Sequence, residues 1–411
     1  MPAADAATIG QFSAAVGQYP PVTRQPGKPV PLLFLAPSTG GGHRAAAIAV
    51  AEALRRRYPG RYTPVICDPL AGPGSARALR WAALGYGPVI RYVPWLWGLL
   101  YRATDSRVAA GLLQHAVSLL AGPLVTGVVA ARRPALVASF HPLTGQAAIR
   151  ARDAAAPAAP VVTVVTDLGT AHAAWTWPQA DRVVAASFAG IPVGSRFADG
   201  PPGLAVRTEQ RRRLGHPQAK FLVLLAGGAE GAGRLARRAA AIVRTLPDVD
   251  VAVICGKNRR VRRRLSRLSA RYGGRLSVHG FVADMGGWLR AADVVATKAG
   301  PATIAEAACC GTPMVLTCHL PGQERGNVGF VTAAGAGTYW PGVGQLAAGI
   351  ARLRDDTAAL AAMGSAAARL ARPEAADGVA ALLAELAGGG SPPGGASSRV
   401  PELVLADGQD G

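Results

Sequence analysis

Twice in its 411 residues the chain passes from a short apolar run into a glycine-rich loop and straight on into a helix-forming segment. The first passage is residues 31–36 (PLLFLA), then Ser38-Thr39-Gly40-Gly41-Gly42, then a helix over 45–58 closed by Arg55-Arg56-Arg57 and Pro59. The second, about 190 residues later, is 221–225 (FLVLL), then 226–233 (AGGAEGAG), then a helix over 234–246. A short continuous apolar run between turn signals is what a strand buried on both faces requires. Further runs of this kind follow each opening, at 63–67, 135–140 and 161–166, then at 251–255, 276–279, 294–297 and 313–317. Helical or loop material separates them, and that alternation predicts parallel, doubly wound sheets. The expected class is α/β, with two Rossmann-like domains facing a central cleft and a linker near 191–215. The expected division is a flexible N-terminal arm at 1–30, a first domain at 31–200, a second at 201–387, and a disordered Gly-, Ser- and Pro-rich tail at 388–411.

Composition narrows the partners. Half the residues are hydrophobic, which supplies packed cores and excludes a largely disordered chain. Cys67, Cys255, Cys309, Cys310 and Cys318 show no C-x-x-C spacing and read as small buried hydrophobes in a reducing compartment, not as zinc ligands. Forty-four Lys and Arg against 24 Asp and Glu leave a formal +20. That charge suits polyphosphate, nucleic acid or an anionic membrane, and high-GC codon bias produces the same arginine excess. A nucleic-acid binder interleaves aromatic rings with its arginines, yet the longest run, 259–267 (RRVRRRLSR), has none inside it. No nucleic-acid partner is therefore expected, and the run reads either as a solvated helix face or as a binding patch.

The chain opens without a basic segment followed by an apolar core, so no cleavable signal peptide is expected. Residues 108–131 carry no formal charge but include Gln114, His115, Ser118, Pro123 and Thr126. A buried or interfacial helix broken near Gly122-Pro123 is expected there instead of a membrane span.

Neither glycine loop is a Walker A or a clean G-x-G-x-x-G, but each offers backbone N–H groups and a positive helix end to a phosphate. His43 and Arg44 follow the first loop, and a histidine there is either a neutral general base or a packing and capping residue. Residues 297–330 are the most informative stretch. Gly300-Pro301 turns the chain into a helix carrying Glu306, whose carboxylate suits the two hydroxyls of a ribose. Gln323, Glu324 and Asn327 then form a polar cluster suited to sugar hydroxyls. Taken singly, Glu306 also fits a solvated helix and Gln323-Glu324 an ordinary loop. Asp248-Val249-Asp250 is the only Asp-x-Asp, and it precedes a strand, at the sheet end away from the cleft, so it reads as a turn.

Nine segments now stand in order: 38–44 (STGGGHR), 91–101 (RYVPWLWGLLY), 141–143 (HPL), 164–175 (VVTDLGTAHAAW), 226–233, 254–258 (ICGKN), 280–282 (GFV), 297–306 and 321–327. Together, between Leu32 and Leu386, they resemble the monogalactosyldiacylglycerol synthase and processive diacylglycerol glucosyltransferase group of GT-B enzymes, related to the transferase that completes lipid II. The resemblance implies a GT-B fold and inverting transfer of a hexose from a UDP-sugar to a diacylglycerol-type lipid hydroxyl. It implies no cofactor beyond the donor substrate and no catalytic metal.

By the same resemblance His43 is the base, and Asp167, with His172 a weaker candidate, assists at the acceptor. Gly41, Gly42, Gly227 and Gly228 would hold the diphosphate, with Lys298 and Thr303 facing it beside the Gly300-Pro301 turn. Lys257 and Asn258 belong to the nucleotide-sugar signatures, the backbone near Phe281 would contact uracil, and Glu306 would take the ribose. Gln323, Glu324 and Asn327 would hold the hexose. The chain departs from the pattern at Lys298-Ala299-Gly300-Pro301, at 169–174, which lacks a usual proline, and at Gly-Gly-Ala-Glu-Gly in the second loop. Sugar and acceptor identity therefore stay open, as do a UDP-sugar epimerase or hydrolase and a non-glycerolipid acceptor on the same fold. Residues 86–101, flanked by Arg77, Arg80, Arg91 and Arg102, read either as a segment dipping into anionic lipid or as aromatic core. The expected location is cytoplasmic, peripheral on the inner face of the cell membrane.

Overall fold

The computed structural model describes residues 29–388 apart from 170, 176–178 and 186–189; nearly all of the expected arm and tail lies outside the described residues. Strands β1 (Val30–Leu35), β2 (Tyr62–Cys67), β3 (Leu136–Ser139), β4 (Val161–Val164) and β5 (Arg182–Val184) form one parallel sheet, in the order β2-β1-β3-β4-β5. Strands β6 (Phe221–Ala226), β7 (Val249–Ile254), β8 (Leu276–His279), β9 (Val294–Lys298), β10 (Met314–Cys318) and β11 (Gly337–Tyr339) form the other, ordered β11-β10-β9-β6-β7-β8. The apolar runs lie at the centres of these sheets: Leu32 to Leu35 and Leu222 to Leu225 are sealed from solvent, as strands covered on both faces must be.

Helices of the first half are α1 (Gly42–Arg57), α2 (Arg77–Tyr92), α3 (Pro94–Thr104), α4 (Arg107–Arg132) and α5 (Gly145–Ala155). The second half carries α6 (Leu204–Arg213), α7 (Leu235–Thr245), α8 (Arg259–Ser269), α9 (Met285–Ala291), α10 (Pro301–Cys309), α11 (Arg325–Ala333), α12 (Val343–Asp355) and α13 (Thr357–Leu370), and α14 (Ala375–Leu386) ends the described chain. In each sheet the strand order reverses once, between β1 and β3 and between β6 and β9. Open parallel sheets take ligands at the carboxyl ends of the strands flanking such a reversal. The two glycine loops follow β1 and β6, so both lie at these points.

Three expectations are corrected. The break near Gly122-Pro123 does not occur, because α4 runs unbroken through it. Pro123 sits on the exposed side, and the carbonyl it leaves without a donor belongs to Leu119, which is exposed to solvent. By length and hydropathy α4 is the one described helix able to cross a bilayer, but 44% of its apolar window is buried, and it packs on α5. Within the expected linker, residues 204–213 form α6, a helix with no buried residue, pinned to the second half by Arg207 and Arg211, both paired with Asp293. Finally, α14 returns to the first half: Val379, Ala380 and Leu383 join the core under β1, Tyr62 Oη donates to Ala384 O at 3.1 Å, and Arg56 pairs with Asp377.

Candidate active site

Two helices start at the cleft without a capping side chain. The N-cap of α1 is Gly41, held at φ 81°, and that of α10 is Gly300, followed by Pro301 in the first turn. Uncapped first-turn N–H groups are orphan donors carrying the positive end of the helix dipole, an arrangement that favours an anion. The two ends face each other: a Cβ added to Gly42 would lie 3.6 Å from Ala302 Cβ, and one on Gly41 2.9 Å from Ala229 Cβ in the second glycine loop. Gly41 therefore needs both the space a glycine leaves and its positive φ, whereas a Cβ at Gly42 would make ordinary contact. Lys298 adds a full charge beside them, with its chain 3.7 Å from the Cβ position of Gly228. Its ammonium pairs with buried Glu324, whose Oε2 accepts from Leu320 N at 2.8 Å.

The floor of the first half is a desolvated aromatic nest. The Nδ1 of His43 meets Thr166 Oγ1 at 2.7 Å, and its ring packs edge-on to His141 (4.7 Å) and against Trp175 (5.8 Å). Burial pushes the His43 imidazole down to about 4, partly countered by a hydrogen bond to the Phe140 backbone, so the ring is neutral at pH 7. His141 accepts from Leu143 N through Nδ1 and is likewise held well below its ordinary range by burial and by His43. The Trp175 indole N–H donates to Asp167 Oδ2 at 2.6 Å. Burial pushes the Asp167 carboxyl up to about 6, against the lowering effect of the hydrogen bonds from Trp175 and Gln323. Asp167 and Gln323 come from opposite halves, so this contact closes the cleft.

Other contacts close it too. Asn327 accepts from Gly169 N (2.9 Å) and donates to Ala299 O (2.9 Å), and the backbones at Gly169 and Gly326 approach so closely that a Cβ on Gly169 would fall 2.4 Å from Gly326 C. Arg91 reaches across to Glu230 at 2.6 Å, and Lys257 approaches the other oxygen of that carboxylate at 3.6 Å.

Residues 222–379 match the family described as glycosyltransferase family 28 C-terminal domain, and residues 43–189 match the monogalactosyldiacylglycerol (MGDG) synthase family. The probable monogalactosyldiacylglycerol synthase 2, chloroplastic, of Oryza sativa subsp. indica is 30% identical over 394 residues, covering 90% of this chain and 83% of its own. The corresponding Glycine max protein is 31% identical over 376 residues, 85% of this chain and 70% of its own. The chain belongs to the monogalactosyldiacylglycerol synthase family of glycosyltransferases. Among solved structures it is similar to Acinetobacter baumannii MurG (TM-score 0.56, 18% identity, 87% of this chain and 100% of that one). It is also similar to Anabaena HepE in complex with UDP-glucose (TM-score 0.51, 16% identity, 87% and 97%). The two-sheet architecture is thus GT-B.

In this glycosyltransferase His43, Asp167, Gly41, Gly42, Gly227, Gly228, Lys298, Gly300, Pro301, Gln323, Glu324 and Asn327 gather at the cleft. Thr303 lies in the first turn of α10. Glu306 follows one turn on, its carboxyl pushed up to about 7 by burial. Asn258 is a brace: its Oδ1 caps α8 through Val261 N and its Nδ2 holds Gly231 O, steadying the second glycine loop. Phe281 stands 70% exposed after β8. His172 ties corners together through Thr104 and Ala174 N. Sequence reading passed over Thr166, Tyr86 and the Arg91–Glu230 pair. Tyr86 roofs the first glycine loop, its hydroxyl 3.4 Å from the Cβ position of Gly40, its phenol pushed up by burial and by Glu324, Glu230 and Asp167. Arg91, lipid-facing on one of the two readings of residues 86–101, points into the cleft.

Proposed function

We propose that this glycosyltransferase moves a hexose from a UDP-sugar to the free hydroxyl of diacylglycerol, with inversion and without a metal ion, at the cytoplasmic face of an anionic membrane. The observation that carries this reading is the meeting of two uncapped helix N-termini and Lys298 beside a neutral, half-buried histidine. The names of the plant relatives favour diacylglycerol as acceptor, and the UDP-glucose bound to HepE favours a UDP-sugar donor.

The diphosphate gains negative charge as the glycosidic bond breaks, and the α1 and α10 N-termini with Lys298 meet that charge. A neutral His43, its Nδ1 engaged by Thr166, takes the acceptor proton on Nε2. The Asp167 carboxylate, fixed by the indole N–H of Trp175 whose ring packs against His43, lends its charge to the imidazolium that results. The acceptor oxygen attacks the anomeric carbon from the side opposite the diphosphate, which inverts the configuration. Closure of Asn327 on Gly169 and of Gln323 on Asp167 keeps water from competing.

The acceptor enters from lipid over α2, α3 and α4. Trp81, Leu84, Tyr92, Trp95, Leu99, Val108 and Leu112 are each more than half exposed there, and Arg77, Arg80 and Arg107 are exposed among them. Such an apolar patch ringed by cations suits an anionic interface. The test is UDP release from a panel of UDP-hexoses, UDP-galactose included, with and without diacylglycerol in anionic vesicles. Lipid-dependent release with a β-linked glycolipid product, undiminished by chelator, is the expected result. Turnover that ignores lipid would replace this reading with an epimerase or hydrolase.

A further inference from the structure

The second half carries a charged face that the transfer reaction leaves unused. On α8, Arg259, Arg260, Arg262, Arg263, Arg264 and Arg267 all stand in solvent, while Leu265 is buried and Val261 and Leu268 pack partly beneath. The helix contains no acidic residue, and among the described residues none of these six guanidiniums is in an ion pair with a carboxylate. A solvated helix face ordinarily mixes signs, because like charges three and four residues apart repel. Neighbouring α7 adds exposed Arg237 and Arg244 and also lacks an acidic residue.

The position of α8 says which polyanion fits. Lys257, two residues before the helix, shares Glu230 with Arg91, the penultimate residue of α2, at 3.6 and 2.6 Å. The arginine helix therefore begins at the cleft rim where α2 ends. The residues that continue from Arg91, Tyr92 and Trp95, are 59% and 66% exposed and belong to the apolar patch. Basic and apolar faces adjoining at one rim match the two components of an anionic bilayer surface, its charge and its acyl boundary. A nucleic-acid strand would require stacking rings among the arginines, and α8 has none.

We propose that α8 is an anionic-lipid contact of the UDP-sugar-binding half, so that the bilayer engages both halves of the enzyme and holds them together at the cleft rim. This rests on the membrane reading above and extends it to a second domain. Both termini of the Glu230 bridge are then lipid-anchored: α2 through its apolar side chains, α8 through its charge.

The test uses the full chain and the variant Arg260→Gln/Arg263→Gln/Arg264→Gln/Arg267→Gln, which keeps helix-forming side chains and leaves Arg262 beside Gly280 in place. Flotation is measured with phosphatidylcholine vesicles and with phosphatidylcholine–phosphatidylglycerol vesicles. The expected result is at least about tenfold weaker binding to the anionic vesicles and a shallower salt dependence, with binding to neutral vesicles unchanged. Transfer to detergent-dispersed diacylglycerol should stay at the wild-type rate. A companion Trp95→Ser/Leu99→Ser variant should lose binding to both vesicle types, which separates apolar from charged contributions. Equal binding of wild type and the arginine variant to anionic vesicles would overturn the proposal. So would an oligonucleotide that wild type prefers to anionic vesicles and the variant no longer binds. If wild type floats with neither vesicle yet transfers hexose in detergent, this inference falls and the transferase reading stands. If α8-dependent flotation occurs without any transfer, the reverse holds.

Discussion

The two helix starts that meet at the cleft are built alike and equipped differently. The α1 start carries His43, a group that burial keeps neutral, within a nest of His141, Trp175 and Thr166. The α10 start is flanked by Lys298, Glu324 and Glu306, groups whose charge is paired or poised to accept hydroxyls. In the proposed reaction the same backbone device, an uncapped helix behind a glycine turn, faces the diphosphate from both halves, and only the α1 half adds a proton acceptor to it. What differs beside the two helix starts is the desolvation of His43 on one side and the ion pair of Lys298 with Glu324 on the other.

The sharpest way to break this division is His43→Ala, which should cut transfer by about 10³-fold, the order expected for loss of a general base. Steady-state UDP release checks it. Lys298→Met should strand the carboxylate of Glu324, which is nearly sealed from solvent, and cost about 3–5 kcal/mol in urea unfolding, the order seen when one partner of a buried ion pair is removed. Adding Glu324→Gln should restore most of that stability and none of the donor affinity, because the cation beside the diphosphate is still gone.

The pH dependence divides the same way. Glu306 and Asp167 are raised carboxyls, at about 7 and about 6. The stability each contributes is complete below its unfolded pKa and is lost as pH rises through the folded value. The roles proposed for them need the ionised form, so activity is expected to run the opposite way. Donor KM should rise as pH falls through about 7, and kcat should fall through about 6. Glu306→Gln should flatten the KM profile alone and Asp167→Asn the kcat profile alone.

Gly41→Ala should cost about 1–2 kcal/mol in thermal unfolding, since φ is 81° there and the new methyl meets Ala229. Arg91→Ala should cost about 1 kcal/mol or less, because Lys257 remains beside Glu230.

Much of this architecture was legible in the chain because buried parallel strands are continuous apolar runs, and because glycine loops punctuate them at the ligand-binding ends. Three-residue edge strands such as Arg182–Val184 and Gly337–Tyr339 carry too little pattern to stand out. The apolar residues of α6, Leu204, Ala205 and Val206, are adjacent and not spaced along one face, and none is buried, so the segment passed for linker. An amphipathic helix announces that it covers a sheet but not which one, which is why the return of α14 to the first half was unreadable. The site residues within glycine loops and strand ends were readable by chemistry. The Arg91–Glu230 contact was not, since the partners lie 139 residues apart and only the folded cleft joins them.

The measurement that bears most directly on the division of labour is calorimetric titration of His43→Ala and Lys298→Met with the UDP-hexose that wild type turns over. If the α1 half performs proton transfer and the α10 half binds charge, His43→Ala will bind the donor within about twofold of wild type, and Lys298→Met will bind it at least about tenfold more weakly. Loss of donor binding in His43→Ala, or wild-type affinity in Lys298→Met, would contradict the account.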